Sequence, residues 1–150
     1  MKIPTTHIIV ALMLALTAAP VPAAEQTGYA PAKVVYDVTS GDPGKLANIL
    51  DRVSMLQNLY GSDPFAASIV IVIHSDAIPL FAKRGRKHRQ DLANRAQGLT
   101  LGKVIQFRLC QASAKMQGYN RSDFNDFIEL VPMADAEIVR LQHDGYAYLQ

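Results

Sequence analysis

The sequence predicts a single α/β domain of three layers, with helices on both faces of a five-stranded, mainly parallel sheet. Three observations lead there. Short apolar runs alternate with amphipathic helical ones along most of the chain, and such alternation implies right-handed βαβ units. The run Ile69 to Ile73 is apolar at every position, the pattern of a strand buried on both faces and hence of a parallel sheet. A length of 150 residues with 49% hydrophobic and 19% charged content suits one globular core.

Each element has its own warrant. Lys33 to Thr39, "KVVYDVT", carries β-branched Val34, Val35 and Val38 and reads as the first strand. Asp42 then offers an N-cap and Pro43 suits the first helical position. The helix they open runs to about Tyr60, with Leu46, Ile49, Leu50, Val53 and Leu56 at three- and four-residue spacings, and Gly61 closes it. After the second strand, Ala67 to Ile73, Ser75 and Asp76 can cap a short helical turn that ends at Phe81. A second helix, about Gln90 to Leu101 with Leu92, Ala96 and Leu99 inward, stops at Gly102. The third strand, Val104 to Leu109, delivers Cys110 and a short helix, Gln111 to Gln117, closed by Gly118. A fourth strand, Phe127 to Val131, ends at Pro132. A helix from about Asp135 to His143, carrying Ile138 and Leu141, and a fifth strand, Tyr146 to Leu149, complete the order.

Residues 1–24 read as a cleavable export signal. Lys2 precedes an unbroken apolar run from Ile8 to Leu16, followed by the small-residue segment "PVPAAEQ". The run is shorter than the roughly 20 apolar residues of a membrane-spanning helix, so contact with a membrane is expected only through this segment. No cysteine stands near the cleavage region, which argues against a lipid anchor. Cleavage fits after Ala23 or Ala24, leaving a domain over residues 25–150 that is expected in the periplasm. Its loss removes one basic and no acidic group, so the formal charge falls from +2 to +1. The basic residues concentrate in "KRGRKHR", Lys83 to Arg89. A solvated helix start is the ordinary reading of such a run and an acidic partner the other; no aromatic residues interleave, and nucleic acid is not an expected partner of an exported chain.

In an open parallel sheet, ligands and chemistry gather beyond the C-terminal ends of the strands, where the strand order reverses. The loops "TSGDPG", "HSDAIP" and "CQASAK" all end there, so Ser40, Asp42, His74, Ser75, Asp76 and Cys110 are expected on one rim. Were the strand order 2-1-3-4-5, Cys110 would lie at the reversal itself. As the sole cysteine it makes no intrachain disulfide, and must be shielded, used, or paired with another chain. The helix starting after it directs unpaired N–H groups at the sulfur, which favours thiolate. The competing reading is a small buried hydrophobe. His74 either moves protons near that thiolate or caps strand-end carbonyls. A cysteine–histidine hydrolase lacks a visible third orienting group. His74, His88, His143 and Cys110 contain no closely spaced ligand pair, which disfavours Zn²⁺, and a Cu site of Cys110, His74 and Met116 is remote. With no GxGxxG or Walker loop, no cofactor is expected.

The stretches "KVVYDVTSGDPGKLANILDRVSMLQN", "IVIVIHSDAIPLF", "IQFRLCQASAKMQGYNRSDF" and "VPMADAEIVRLQHDGYAYLQ" together resemble the DsrE/DsrF-like sulfur-oxidation family in its exported, single-domain branch. The resemblance implies a flavodoxin-like fold, a homo-oligomer, and a cysteine that carries sulfane sulfur as a persulfide between donor and acceptor proteins. Cys110 matches that cysteine, and His74 matches a histidine after the second strand. Two departures stand out: Ser75 occupies a position where the family often has glycine, and the basic run is no family signature. The expectation is a periplasmic sulfur carrier more than a turnover enzyme, with Cys110 partly exposed and its pKa lowered. The alternative is a non-catalytic module for small-ligand binding or oligomeric assembly with a structural Cys110.

Overall fold

The computed structural model describes residues 28–83 and 87–150, so the segment 1–24 expected to be an export signal and the middle of the basic run lie outside the described residues. Strands β1 (Ala32–Val38), β2 (Ala67–Ile73), β3 (Ile105–Cys110), β4 (Ile128–Val131) and β5 (Ala147–Leu149) form one sheet. Every pairing in it is parallel. The helices are α1 (Pro43–Leu59), α2 (Lys87–Leu99), α3 (Gln111–Met116) and α4 (Ala134–His143), with a 3₁₀ turn over Ser75–Leu80. This is the three-layer, flavodoxin-like class expected from the alternation of elements.

The strand order is β4-β3-β2-β1-β5, not 2-1-3-4-5. β1 and β2 zip together from Ala32 against Ala67 to Val38 against Ile73, and the other side of β2 takes β3. Such tight pairing follows from β2 itself, whose residues are almost all buried and which therefore needs a neighbour on each side. The chain thus steps outward from β1 to β4, and β5 returns to pair with the other edge of β1, leaving β4 as an edge strand. The reversal falls between β1 and β5, leaving Cys110 two strands away from it.

Alternation along the strands divides the core. On one face Leu46, Leu50 and Val53 of α1 and Leu92 and Ala96 of α2 cover Tyr36, Ile71 and Phe107. On the other, Ala134, Ile138 and Leu141 of α4 cover Val35, Val70, Val72 and Cys110. Phe107 is further fixed by Phe81 and Phe127, with ring centroids 6.0 and 5.6 Å away. The α1 start is as its sequence predicts: Pro43 opens the helix and Asp42 Oδ1 accepts the Gly44 N–H at 2.8 Å. Two other starts differ. His74, not Ser75 or Asp76, is the cap residue of the 3₁₀ turn and makes no capping bond. α2 begins three residues before Gln90 and yields to a 3₁₀ turn at Thr100–Gly102. Among the described residues no helix is long and apolar enough to cross a membrane.

Candidate functional site at the strand ends

Cys110 is both the last residue of β3 and the N-cap of α3. Its Sγ accepts the Ser113 N–H at 3.4 Å. The backbones of Ala112 and of Ala134, the first residue of α4, lie near enough to the same sulfur to lower its pKa, while the Ala112 N–H itself is donated to the Pro132 carbonyl at 3.3 Å. Two helix starts therefore converge on one atom, which concentrates partial positive charge there. Burial pushes the thiol pKa up, but the Ser113 hydroxyl and the backbones of Ser113, Ala134 and Ala112 outweigh it, and the pKa lies below its ordinary value.

The direction is the one expected from sequence; the exposure is not. Cys110 is only 3% exposed, against the expectation of a partly open thiol. Met116, an obvious candidate for a cover, is 88% exposed and seals nothing. The cover comes from the start of α4, because β4 pairs beside β3 and its last pair, Cys110 with Val131, brings the following helix over the sulfur.

His74 follows β2 by one residue, as Cys110 follows Leu109, and Ile73 pairs with Leu109. The two residues therefore occupy adjacent positions at the ends of neighbouring strands. The His74 ring is tied elsewhere: Nε2 lies 2.7 Å from Asp37 Oδ1, and Nδ1 lies 3.2 Å from the Ser75 hydroxyl. The second Asp37 oxygen accepts the Tyr148 hydroxyl at 2.7 Å, which in turn accepts from Gln150 Nε2 at 2.7 Å. The Asp37 carboxylate beside Tyr148 raises the phenol above its ordinary value. The ring is thus engaged by a carboxylate rather than by strand-end carbonyls.

Asp37 and Tyr148 escaped the sequence reading. One signal was available: Asp37 is the only acidic residue in "KVVYDV", and a carboxylate in a strand packed on both faces needs a partner. Tyr148 gave none, since only the return of β5 to the free edge of β1 brings it across.

The other rim residues serve the loops. Ser40 Oγ accepts the Asp42 N–H at 3.2 Å, and Asp42 caps α1. A Cβ on Gly41 would sit 2.8 Å from the Asp76 carbonyl, so the turn after β1 presses against the one after His74. Gln117 at the end of α3 donates to the Ser75 carbonyl at 2.7 Å. At the reversal between β1 and β5 lies a crevice of about 290 Å³ lined by Asp37, Thr39, Ser40, Lys45 and Gln150 among others. Beneath the α4 face, Arg108 of β3 bonds Glu137, whose other partner is Arg140 at 2.7 Å. Hydrogen bonding to Arg140, with help from Arg108, holds Glu137 below the usual carboxylate range against the effect of burial.

The fold and these residues match a family. The model of the DsrE/DsrF-like family matches residues 33–150, and the chain belongs to that family. A solved protein of unknown function from Methanobacterium thermoautotrophicum, MTH1491, superposes with a TM-score of 0.62 at 21% identity, covering 79% of this chain and 97% of its own. The ychN protein of E. coli gives 0.60 at 17% identity, covering 78% and 96%. At these identities the likeness is one of fold. No curated protein matches the chain.

Proposed function

We propose that the protein handles sulfur by carrying sulfane sulfur as a persulfide on Cys110, in the periplasm after removal of the export segment. Membership of the DsrE/DsrF-like family points to sulfur chemistry. The observation that carries the reading is the place of Cys110 at the start of α3, where Sγ accepts the Ser113 N–H beneath Ala134 of α4 and the thiol pKa is lowered in spite of burial. In the first step the Cys110 thiolate attacks the outer sulfur of a donor persulfide; an S–S bond to Cys110 forms, the donor S–S bond breaks, and the donor leaves as a thiolate. In the second, an acceptor thiolate attacks the outer sulfur and Cys110 leaves as the thiolate it was. No net oxidation occurs in either step; His74 gives the proton that the departing donor thiolate takes up and receives the one that the acceptor thiol loses on becoming the attacking thiolate. Burial suits a carrier, since a persulfide shielded by α4 is kept from adventitious oxidants, and the donor gains access by displacing the helix start.

One observation favours a second reading. A cysteine 3% exposed at a strand end is also how a small core residue sits, in which case the protein is a binding or assembly module. The rate of alkylation of the native protein by an uncharged reagent, followed against pH, separates the two. A carrier reacts readily at neutral pH with an inflection below the reference thiol value of about 8.5. Slow reaction with an inflection above about 9 belongs to the structural cysteine.

A further inference from the structure

We propose that Asp37 and Ser75 are positioning residues that hold the His74 ring in one orientation and one tautomer, with the proton on Nε2 and the lone pair on Nδ1, and that Tyr148 fixes Asp37 from the neighbouring strand. The proposal deepens the reading of His74 as the proton-moving partner of Cys110 and rests on it for its functional meaning.

Asp37 decides the tautomer. An ionised carboxylate only accepts hydrogen bonds, so the ring nitrogen 2.7 Å from Oδ1 must carry a proton, and that nitrogen is Nε2. The carboxylate cannot turn away. It is 12% exposed in the side chain, stands in an apolar strand, and its second oxygen is held by Tyr148 at 2.7 Å. Tyr148 has one proton to give, and since Gln150 donates to its oxygen, that proton goes to Asp37.

Ser75 is the independent observation. Its backbone lies in the left-handed region at φ 52°, which a side chain disfavours and a glycine would occupy freely. The serine that stands there brings its hydroxyl to 3.2 Å from Nδ1, and its carbonyl is pinned by Gln117 from the end of the helix that Cys110 caps. Strain tolerated at one residue beside a fixed ring is the pattern of a site whose geometry is imposed from outside. The Ser75 hydroxyl donates to the free Nδ1 at the exposed rim, so the exposed end of the ring is its basic end, while the acidic end faces Asp37.

Nitrogen-15 correlation spectra of the imidazole in the purified protein, recorded at alkaline pH, read the tautomer directly. The wild type should show His74 protonated at Nε2 alone. Asp37→Asn should move the proton to Nδ1 or mix the two forms, because the amide can donate to Nε2. Ser75→Gly should keep the tautomer, shift the Nδ1 resonance and raise the melting temperature. Should Asp37→Asn fail to fold, Tyr148→Phe, at a residue 38% exposed, should still shift the Nε2 resonance. A wild type protonated at Nδ1, or an Asp37→Asn spectrum identical to it, overturns the proposal. The readout involves no sulfur chemistry, so an inert Cys110 beside a fixed Nε2 tautomer would contradict the carrier and leave the positioning standing.

Discussion

At Cys110 two opposed effects act on one sulfur: removal from water raises a thiol pKa, and oriented N–H dipoles lower it. With the Ser113 N–H donated to Sγ and the Ser113 hydroxyl and the backbones of Ala134 and Ala112 acting on it as well, the lowering prevails. This carries a stability signature with a definite sign. A group whose folded pKa is depressed contributes stability above its unfolded value and loses it as pH falls through the folded one. The stability difference between wild type and Cys110→Ser should therefore grow as pH rises from the folded value towards about 8.5 and level off beyond it, as denaturant melts at a series of pH values would show. The variant itself should fold normally, since serine keeps an acceptor at the N-cap of α3. Glu137 follows the same rule at acid pH. Its contribution is complete above about 4.3 and fades as pH falls through its lowered folded value, so the cost of Glu137→Gln, about 1–2 kcal/mol for a partly solvated charged hydrogen bond, should shrink in acid melts.

At the level of elements, the starts of α1, α3 and α4 position the chemistry. α1 is capped by its own sequence, and Asp42→Ala should cost about 1 kcal/mol in thermal or denaturant unfolding without touching Cys110 reactivity. Gly41 is different, because any Cβ there meets the Asp76 carbonyl at 2.8 Å. Gly41→Ala should push the turn carrying His74 and Ser75, changing the His74 resonances and lowering stability, because the clash is with backbone that must move. α1, β2 and α4 were legible because their signals are local: a capping pair, a continuous apolar run, an amphipathic period. What the sequence did not disclose depends on pairing. The contact of Tyr148 with Asp37 exists only because β5 returns to the free edge of β1, and the cover over Cys110 exists only because β4 lies beside β3. Neither neighbour relation is written in hydrophobic periodicity, which reports burial and not the partner.

At the scale of the whole molecule, the parallel sheet brings all the strand-end loops to one rim, which was the safest inference from the alternation of elements; the strand order within it was not legible, and it separates Cys110 from the reversal crevice between β1 and β5. A thiol lodged under a helix start also suits a protein that meets its partners in a fixed orientation, and we propose a homo-oligomer of two or more chains; light scattering at micromolar concentration should report a mass above that of one chain, and a monomer would count against it. The central claim is that Cys110 takes up one sulfur atom and gives it back. Mass spectrometry of the native protein, first exposed to a small-molecule persulfide donor and then to an excess of acceptor thiol, tests it most directly. The account predicts the gain of a single sulfur atom on the Cys110 peptide, its complete removal by the thiol, and no gain in Cys110→Ser; a wild-type protein that gains no sulfur under the same exposure, or gains it equally in the serine variant, would contradict the account.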